Sequence, residues 1–360
     1  MRLIPENTVT INPVMNLAIY TPPRSKLLRP PPGRSQDACY TVQGNLSLAN
    51  IGVFTLGLGT FLFKMNPRPK GHTFFIMKDI SKKDIRNNIP LVSRKNASQK
   101  TIINIKGLEI GGPQFIVMAG PCTVESKAQL QDIAKNIKNL GAHILRGGAY
   151  KPLTFPYRNA RTYELREKGL KILEAIKKKE NIPIVTEVMD VRNVKKVAHV
   201  ADILQIGTRN MQNFPLLEEV AKTKKPILLK RHFGASLRDW LGAAEYILYH
   251  GNPHVILCER GIAVPHTHHP HSRCIVDLQV IPAAKEYTHL PIIVDPSHST
   301  FRRKYVAAIA RAACAVGADG IIIDVHPTPS KAVVDPLQAL NYRQFGKLVC
   351  DLKKIKEIVN

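Results

Sequence analysis

Eight short runs of β-branched and aliphatic residues recur at regular intervals through the C-terminal two-thirds of this chain. They lie at 115–119, 143–145, 182–185, 203–206, 226–229, 255–257, 290–294 and 320–323. None alternates apolar with polar residues, so each reads as a strand buried on both faces, the kind found in parallel sheets. The segments between them are amphipathic. In Ala128-Gln-Leu-Gln-Asp-Ile-Ala-Lys-Asn-Ile-Lys-Asn-Leu140, Leu130, Ile133, Ile137 and Leu140 fall on one helical face. Eight strand–helix units predict an α/β fold, a (β/α)8 TIM barrel over residues 91–350. A doubly wound open sheet is the alternative, disfavoured by the absence of a Gly-rich dinucleotide turn.

Barrels of this kind build their active sites from residues at the C-terminal ends of the strands. Two of the runs stop at ligand-capable groups: Ile292-Ile-Val-Asp-Pro-Ser-His298 and, further on, Ile323-Asp-Val-His326. The first run is followed by Cys122, the second by Arg146 and Lys151, the fourth by Arg209, the fifth by Lys230 and the sixth by Arg260. Asp335 lies beyond the eighth. Two chemistries emerge. Cys122, His298, Asp324 and Asp335 offer one thiolate, one imidazole and two carboxylates, a set suited to a divalent transition metal such as Mn, Fe, Co or Zn. Arg146, Lys151, Arg209, Lys230 and Arg260 are five cations from four strands, suited to a small polyanion bearing phosphate and carboxylate. Singly, a strand-end cysteine is usually a small core residue and a lone Lys or Arg usually meets solvent. Their joint occurrence at consecutive strand ends carries the reading.

Composition narrows the partners. The net charge is +25, and residues 1–100 hold 15 Lys and Arg against 4 Asp and Glu. No nucleic-acid-binding motif accompanies this charge and the aromatics are not clustered, so small anionic substrates are expected rather than nucleic acid. The six cysteines show no paired spacing, which predicts a reducing, cytoplasmic setting. The uncharged stretch 40–63 is broken by Gln43, Asn45, Ser47 and Asn50, too polar for a membrane span. Residues 1–90, with the Pro-rich stretch 21–33, read as a poorly structured N-terminal extension in which Met65 and Met77 are alternative start sites.

The strand-end motifs resemble those of the 3-deoxy-D-arabino-heptulosonate 7-phosphate (DAHP) synthases, in the class whose barrel is related to the 3-deoxy-octulosonate 8-phosphate synthases. The resemblance runs from about Leu91 to Leu340. It is carried by Ala119-Gly-Pro-Cys-Thr-Val-Glu-Ser126, Leu145-Arg-Gly-Gly-Ala-Tyr-Lys-Pro152, Gln205-Ile-Gly-Thr-Arg-Asn-Met-Gln-Asn213, Leu228-Leu-Lys-Arg231, Ile256-Leu-Cys-Glu-Arg-Gly261 and Val294-Asp-Pro-Ser-His298. It implies a transferase of the shikimate pathway, the route to chorismate and the aromatic amino acids, that condenses phosphoenolpyruvate with erythrose 4-phosphate. Cys122, His298, Asp324 and Asp335 would hold the metal, with Cys122, His298 and Lys151 catalytic. Arg146, Lys151, Arg209, Lys230 and Arg260 would bind phosphoenolpyruvate, and Thr154 the aldose phosphate. Lys151 would protonate the developing alkoxide. A homodimer or homotetramer is expected.

Four departures fall mainly on the aldose side. Leu153 and Phe155 replace an Arg and a Ser of the usual strand-2 loop, with Arg158, Arg302 or Arg303 available to compensate. Asp324 stands for the usual Glu. The segment after strand 6 becomes His-rich, Gly261-Ile-Ala-Val-Pro-His-Thr-His-His-Pro-His-Ser-Arg273. The usual Ser-His-Gly-Thr-Gly becomes Ser297-His-Ser-Thr-Phe301. The alternatives are a sister synthase using phosphoenolpyruvate with a different aldose, and a catalytically weakened barrel.

Overall fold

The computed structural model of the chain describes residues 51–56, 59–64, 87–152, 164–265 and 274–359. Leu153, Thr154, Phe155 and Arg158, the histidines of 266–271, Met65, Met77 and most of the N-terminal extension lie outside them. The chain divides into two units, residues 1–78 and 79–360. In the first, Ile51–Leu56 and Gly59–Lys64 form an antiparallel ribbon with Ile51 opposite Lys64. Among the described residues no helix is long and apolar enough to cross a membrane.

The second unit is a closed barrel of eight parallel strands with a helix after each. The strands are β1 (Ile116–Gly120), β2 (Ile144–Arg146), β3 (Ile184–Glu187), β4 (Ile203–Ile206), β5 (Ile227–Lys230), β6 (Val255–Glu259), β7 (Ile292–Val294) and β8 (Gly320–Asp324). They are hydrogen-bonded in sequence order, and β8 closes on β1 with Gly320 opposite Ile116 and Asp324 opposite Gly120. The outer ring is α1 (Lys127–Asn139), α2 (Arg166–Glu180), α3 (Val194–Val200), α4 (Phe214–Lys222), α5 (Leu237–Tyr249), α6 (Val280–Tyr287), α7 (Arg303–Ala315) and α8 (Tyr342–Val359).

Every barrel strand is buried along its whole length, as the unbroken apolar runs require. Alternate residues serve two cores. Ile116, Met118, Ile144, Val185, Ile203, Leu228, Ile256, Ile293 and Ile322 fill the barrel, whereas Val117, Ala119, Leu204 and Ile323 meet the helices. On α1 the buried face is Leu130, Ile133, Ala134 and Ile137, and Ser126 caps the helix by accepting the N–H of Gln129. Truncating a residue such as Leu130 to Ala would cost about 2–5 kcal/mol through the cavity left behind.

The foot of the barrel is plugged by a hairpin that the apolar runs do not reveal. Ile103–Ile105 pairs with Leu108–Ile110, and Ile103, Ile105 and Ile110 join the barrel-interior core. Its two-residue turn is Lys106-Gly107, both with positive φ (51° and 87°), which matches the twist of the flanking strands.

Close to that end, the β1 residue Val117 donates its N–H to Nδ1 of His143 at 2.9 Å, and Nε2 of His143 lies 2.9 Å from Gln114 Nε2. Burial, with a contribution from Lys353, holds the His143 pKa below its ordinary value of 6.5. The folded chain thus keeps His143 neutral where the unfolded chain takes up a proton. Stability present above pH 6.5 is expected to fall as pH drops from 6.5 toward the folded value. His143→Asn keeps an acceptor for Val117 but does not titrate, so its unfolding midpoint in urea should drop less than the wild type's between about pH 7.5 and 5.5. Equal losses in both proteins would show that His143 does not contribute.

Candidate active site: a four-ligand group beneath a cationic cavity

The C-terminal ends of the strands open into a cavity of about 400 Å³. Four charged residues here are the last residues of their strands: Arg146 ends β2, Glu187 ends β3 and Lys230 ends β5, all lining the cavity, and Asp324 ends β8, buried against Arg146. The ladder fixes their backbones. Each is buried, with Arg146 and Lys230 both 4% exposed, and buried charges require partners. Arg146 is paired with Asp324 and Lys230 with Asp295. Glu187 accepts from the side chain of Gln205 at 3.0 Å.

Cys122 follows β1 through Gly120, whose φ is +149° and where a Cβ would come within 2.1 Å of the Arg146 carbonyl oxygen. Only glycine lets β1 approach β2 this closely. His298 lies on a short helix, Pro296–Thr300, capped by Asp295, which accepts the His298 N–H at 3.0 Å. The carboxylate of Asp295 also receives His298 Nδ1 at 2.9–3.1 Å. Asp335 sits in the loop after β8 with φ +56°, a conformation Asp tolerates better than most residues.

Ligand atoms of Cys122, His298, Asp324 and Asp335 all lie within 4.8 Å of one another. His298 Nε2 is 3.7 Å from Cys122 Sγ, 3.8 Å from Asp324 and 3.7 Å from Asp335. Donors bonded tetrahedrally to one ion at 2.0–2.3 Å stand about 3.3–3.8 Å apart, so the spacing fits a metal ion. Protonation fits as well. Burial lowers the His298 pKa to about 4 even against the charge of Asp295, so the imidazole is neutral and its Nε2 lone pair is free to coordinate. Burial works against the Asp335 carboxylate, but the charge of Lys151 and the hydrogen bond from Cys122 help to outweigh it, and its pKa lies below the ordinary value. Burial pushes the Cys122 thiol up, and it donates to Asp335 at 2.9 Å. A bound cation would supply the charge that favours its thiolate.

Lys151 joins this group to the cavity. Its Nζ donates to Cys122 Sγ at 2.9 Å. Burial opposes its charge, but Cys122 and Glu187 outweigh burial and raise its pKa, so it enters any reaction as an ammonium. Arg209 and Arg260 line the same cavity nearer its rim. Arg260 donates to the carbonyl of His298 at 3.1 Å and to Cys274 Sγ at 3.2 Å. The residues expected to hold the metal and phosphoenolpyruvate therefore converge on one mouth.

One expectation is corrected. Arg303 does not reach the cavity: its guanidinium donates to the carbonyls of Ala339 at 2.6 Å and Pro336 at 2.7 Å, and so ties down the loop carrying Asp335. The sequence reading gave no role to Asp295, Glu187 or Gln338. Gln338 Nε2 donates to Asp324 at 2.6 Å. Asp295 and Glu187 were findable from their place at strand ends, whereas Gln338 carries no such signal.

Residues 95–360 match the model of the DAHP synthetase I family. The chain belongs to that family. A phospho-2-dehydro-3-deoxyheptonate aldolase of Thermotoga maritima is 44% identical over 268 residues, which cover 74% of this chain and 77% of that protein. More distant similarity extends to a 2-dehydro-3-deoxyphosphooctonate aldolase of Koribacter versatilis, 27% identical over 71% of this chain and 96% of that protein. Among solved structures, the DAHP synthase of Thermotoga maritima superposes with a TM-score of 0.69 at 44% identity, covering 74% of this chain and 76% of that one. A truncated form of the Thermotoga maritima enzyme gives 0.68 at 42% identity, covering 75% of this chain and 97% of that one. Within this DAHP synthetase I barrel, Asp295 is the group that orients His298. Asp295→Asn keeps the helix cap but loses the charge that holds Nδ1, and is expected to weaken Mn²⁺ binding about 10–100-fold in equilibrium dialysis. An unchanged affinity would remove Asp295 from this role.

Proposed function

We propose that this chain is a metal-dependent 3-deoxy-7-phosphoheptulonate synthase that condenses phosphoenolpyruvate with erythrose 4-phosphate. The observation that carries this reading is the position of Lys151, with its ammonium 2.9 Å from Cys122 of the four-ligand group and its flank on the cationic cavity. Membership of the DAHP synthetase I family supports it.

Charge balance fits the first substrate. Arg146, Lys151, Arg209, Lys230 and Arg260 face the carboxylates of Glu187, Asp295, Asp324 and Asp335, a surplus of one positive charge. A divalent ion bound with Cys122 as its thiolate brings the surplus to two, which offsets most of the roughly three negative charges of a carboxylate with a phosphate dianion. Arg146 and Lys230, held at the cavity floor by their carboxylate partners, would orient phosphoenolpyruvate with little further loss of side-chain freedom. Arg209 and Arg260 would close on it from the rim.

The carbon–carbon bond forms when C3 of phosphoenolpyruvate attacks the aldehyde carbon. The aldehyde oxygen becomes an alkoxide, and Lys151, an ammonium in this site, donates a proton to it. Water adds at C2, and the tetrahedral intermediate expels phosphate with its C–O bond electrons. The cations stabilise the oxyanions of both stages. A divalent metal held by Cys122, His298, Asp324 and Asp335 would supply a Lewis acid for the aldehyde oxygen. We place the reaction in the cytoplasm, in line with six cysteines whose spacing along the chain shows no disulfide pattern.

Purified enzyme treated with a chelator is expected to lose DAHP formation and to regain it with Mn²⁺ or another divalent ion. Activity that persists after verified metal removal overturns the metal dependence. Lys151→Met should lower kcat about 100–10,000-fold, with calorimetric binding of phosphoenolpyruvate retained through Arg146 and Lys230. A variant near wild-type kcat would remove Lys151 as the proton donor.

A further inference from the structure

One buried ion pair beside the cavity is left unused by the proposed reaction. Glu259 ends β6 and is 0% exposed. Along β6, Ile256 and Cys258 belong to the barrel-interior core, and Val255 and Leu257 to the core under the helices. Side chains alternate along a strand, so Glu259 falls on the helix side. Arg231 does the same at the end of β5. Lys230 before it lines the cavity, whereas Arg231 turns toward Trp240 of α5. There its guanidinium donates to Glu259 at 3.0 Å and to Asp277 at 2.9 Å, and its Nε to the carbonyl of Ala235 at 3.0 Å. A buried pair of this kind is often no more stabilising than well-packed apolar residues of similar volume, so stability alone does not account for it.

The local geometry of Glu259 gives the pair a task. Its Oε1 accepts the N–H of Gly261 at 2.6 Å and that of Asp277 at 3.4 Å, while Oε2 accepts from Arg231. The residue between Glu259 and Gly261 is Arg260. The chain leaves β6 at Glu259, which the ladder holds opposite Val294, and two residues later it is caught by the carboxylate of that same Glu259. Gly261 makes the turn with φ +98°, and a Cβ there would come within 2.9 Å of Cys274 Cβ and 3.1 Å of Ser299 Cβ. The clamp is itself anchored in the outer ring, because Asp277 also accepts the N–H of Val280 at the start of α6 at 3.1 Å. Arg260, its backbone held on both sides, lines the cavity, and its guanidinium reaches the carbonyl of His298 and Cys274 Sγ.

We infer that Glu259, held by Arg231, is a positioning residue for Arg260, and that it strengthens the grip of the cavity on phosphoenolpyruvate without touching the substrate. The inference rests on the proposed role of Arg260 and deepens it. An arginine whose backbone is already fixed loses less freedom when it closes on an anion, and the affinity is higher for it.

The test is a double-mutant cycle, read by calorimetric binding of phosphoenolpyruvate to wild type, Glu259→Gln, Arg260→Ala and the double variant. Glu259→Gln keeps the size of the side chain but removes the charge that pairs with Arg231. It is expected to weaken phosphoenolpyruvate binding about 10-fold in the wild-type background and to have no further effect once Arg260 is absent, because residues that act through one another are not additive. Mn²⁺ affinity in equilibrium dialysis should be unchanged, since Glu259 is not among the four ligand residues. Should Glu259→Gln fail to fold, Arg231→Lys answers the same question. It keeps a charge beside Glu259 but loses the guanidinium that reaches Ala235, Glu259 and Asp277 at once, and its smaller loss of affinity should also vanish in Arg260→Ala. A wild type that does not bind phosphoenolpyruvate, or an Arg260→Ala variant that binds it as tightly, overturns the role of Arg260 and the inference with it. If Arg260→Ala weakens binding but the substitution at 259 or 231 has the same effect in both backgrounds, only the positioning role of Glu259 falls. A parallel loss of Mn²⁺ affinity would show a general loosening of the barrel mouth and would overturn that role as well.

Discussion

The closure of β8 onto β1 is the constraint on which the site depends. Parallel pairing places Asp324, the last residue of β8, opposite Gly120, the last residue of β1. Two residues past Gly120 the chain delivers Cys122, so the register joins groups more than two hundred positions apart in sequence. A slip of one residue would turn Asp324 from the barrel mouth toward the helices. The close approach of β1 to β2 at Gly120 then seats Arg146 against Asp324. Ligand group and cationic floor are consequences of one ladder.

That arrangement buries more charge than a hydrophobic barrel tolerates unaided. Arg146 with Asp324, Lys230 with Asp295 and Arg231 with Glu259 are all nearly removed from solvent. Removing one partner of such a pair costs about 3–5 kcal/mol, because the remaining charge is left without compensation. The pairs are therefore weak as sources of stability and strict as determinants of geometry. Arg231 illustrates this: it also reaches Asp277 at 2.9 Å and lies over Trp240, pinning the β6 loop that carries Arg260. A second tie joins Glu125, beside Cys122, to the backbone of Val333, beside Asp335, at 3.0 Å. The loops that bear the ligands are thus fastened to each other as well as to their strands.

Much of this was legible in the sequence, because parallel strands announce themselves by unbroken apolar runs. The differences have a common cause. Arg146, Glu187, Lys230, Glu259 and Asp324 are charged yet belong to the strands. Hydropathy ends a strand where charge begins, whereas the barrel ends it where the ladder does. The hairpin at the foot of the barrel escaped because its strands have three residues each, although Lys106-Gly107 between alternating isoleucines was a usable turn signal. Asp295 and Gln338 act through contacts made only on folding. Arg303 misled for the same reason: beside His298 in sequence, it turns to the backbone of the loop after β8.

The two halves of the cavity are built from different materials, and this bears on how one barrel can serve several acceptors. The half proposed for phosphoenolpyruvate rests on Arg146 and Lys230, strand-end residues whose backbones are fixed by the ladder and whose side chains are fixed by buried pairs. Substitution there breaks an ion pair or a register. The half proposed for the aldose draws on the strand-2 segment that follows Pro152, past the end of the ladder at Arg146. Loops on a rigid scaffold can vary without unfolding it. Relatives named for a heptonate and for an octonate product both align over more than 70% of this chain, so the shared part is most of the barrel. On the proposed reaction, the physical division between ladder and loop parallels the chemical division between the common substrate and the variable one. It also explains why the departures of this chain gather on the aldose side.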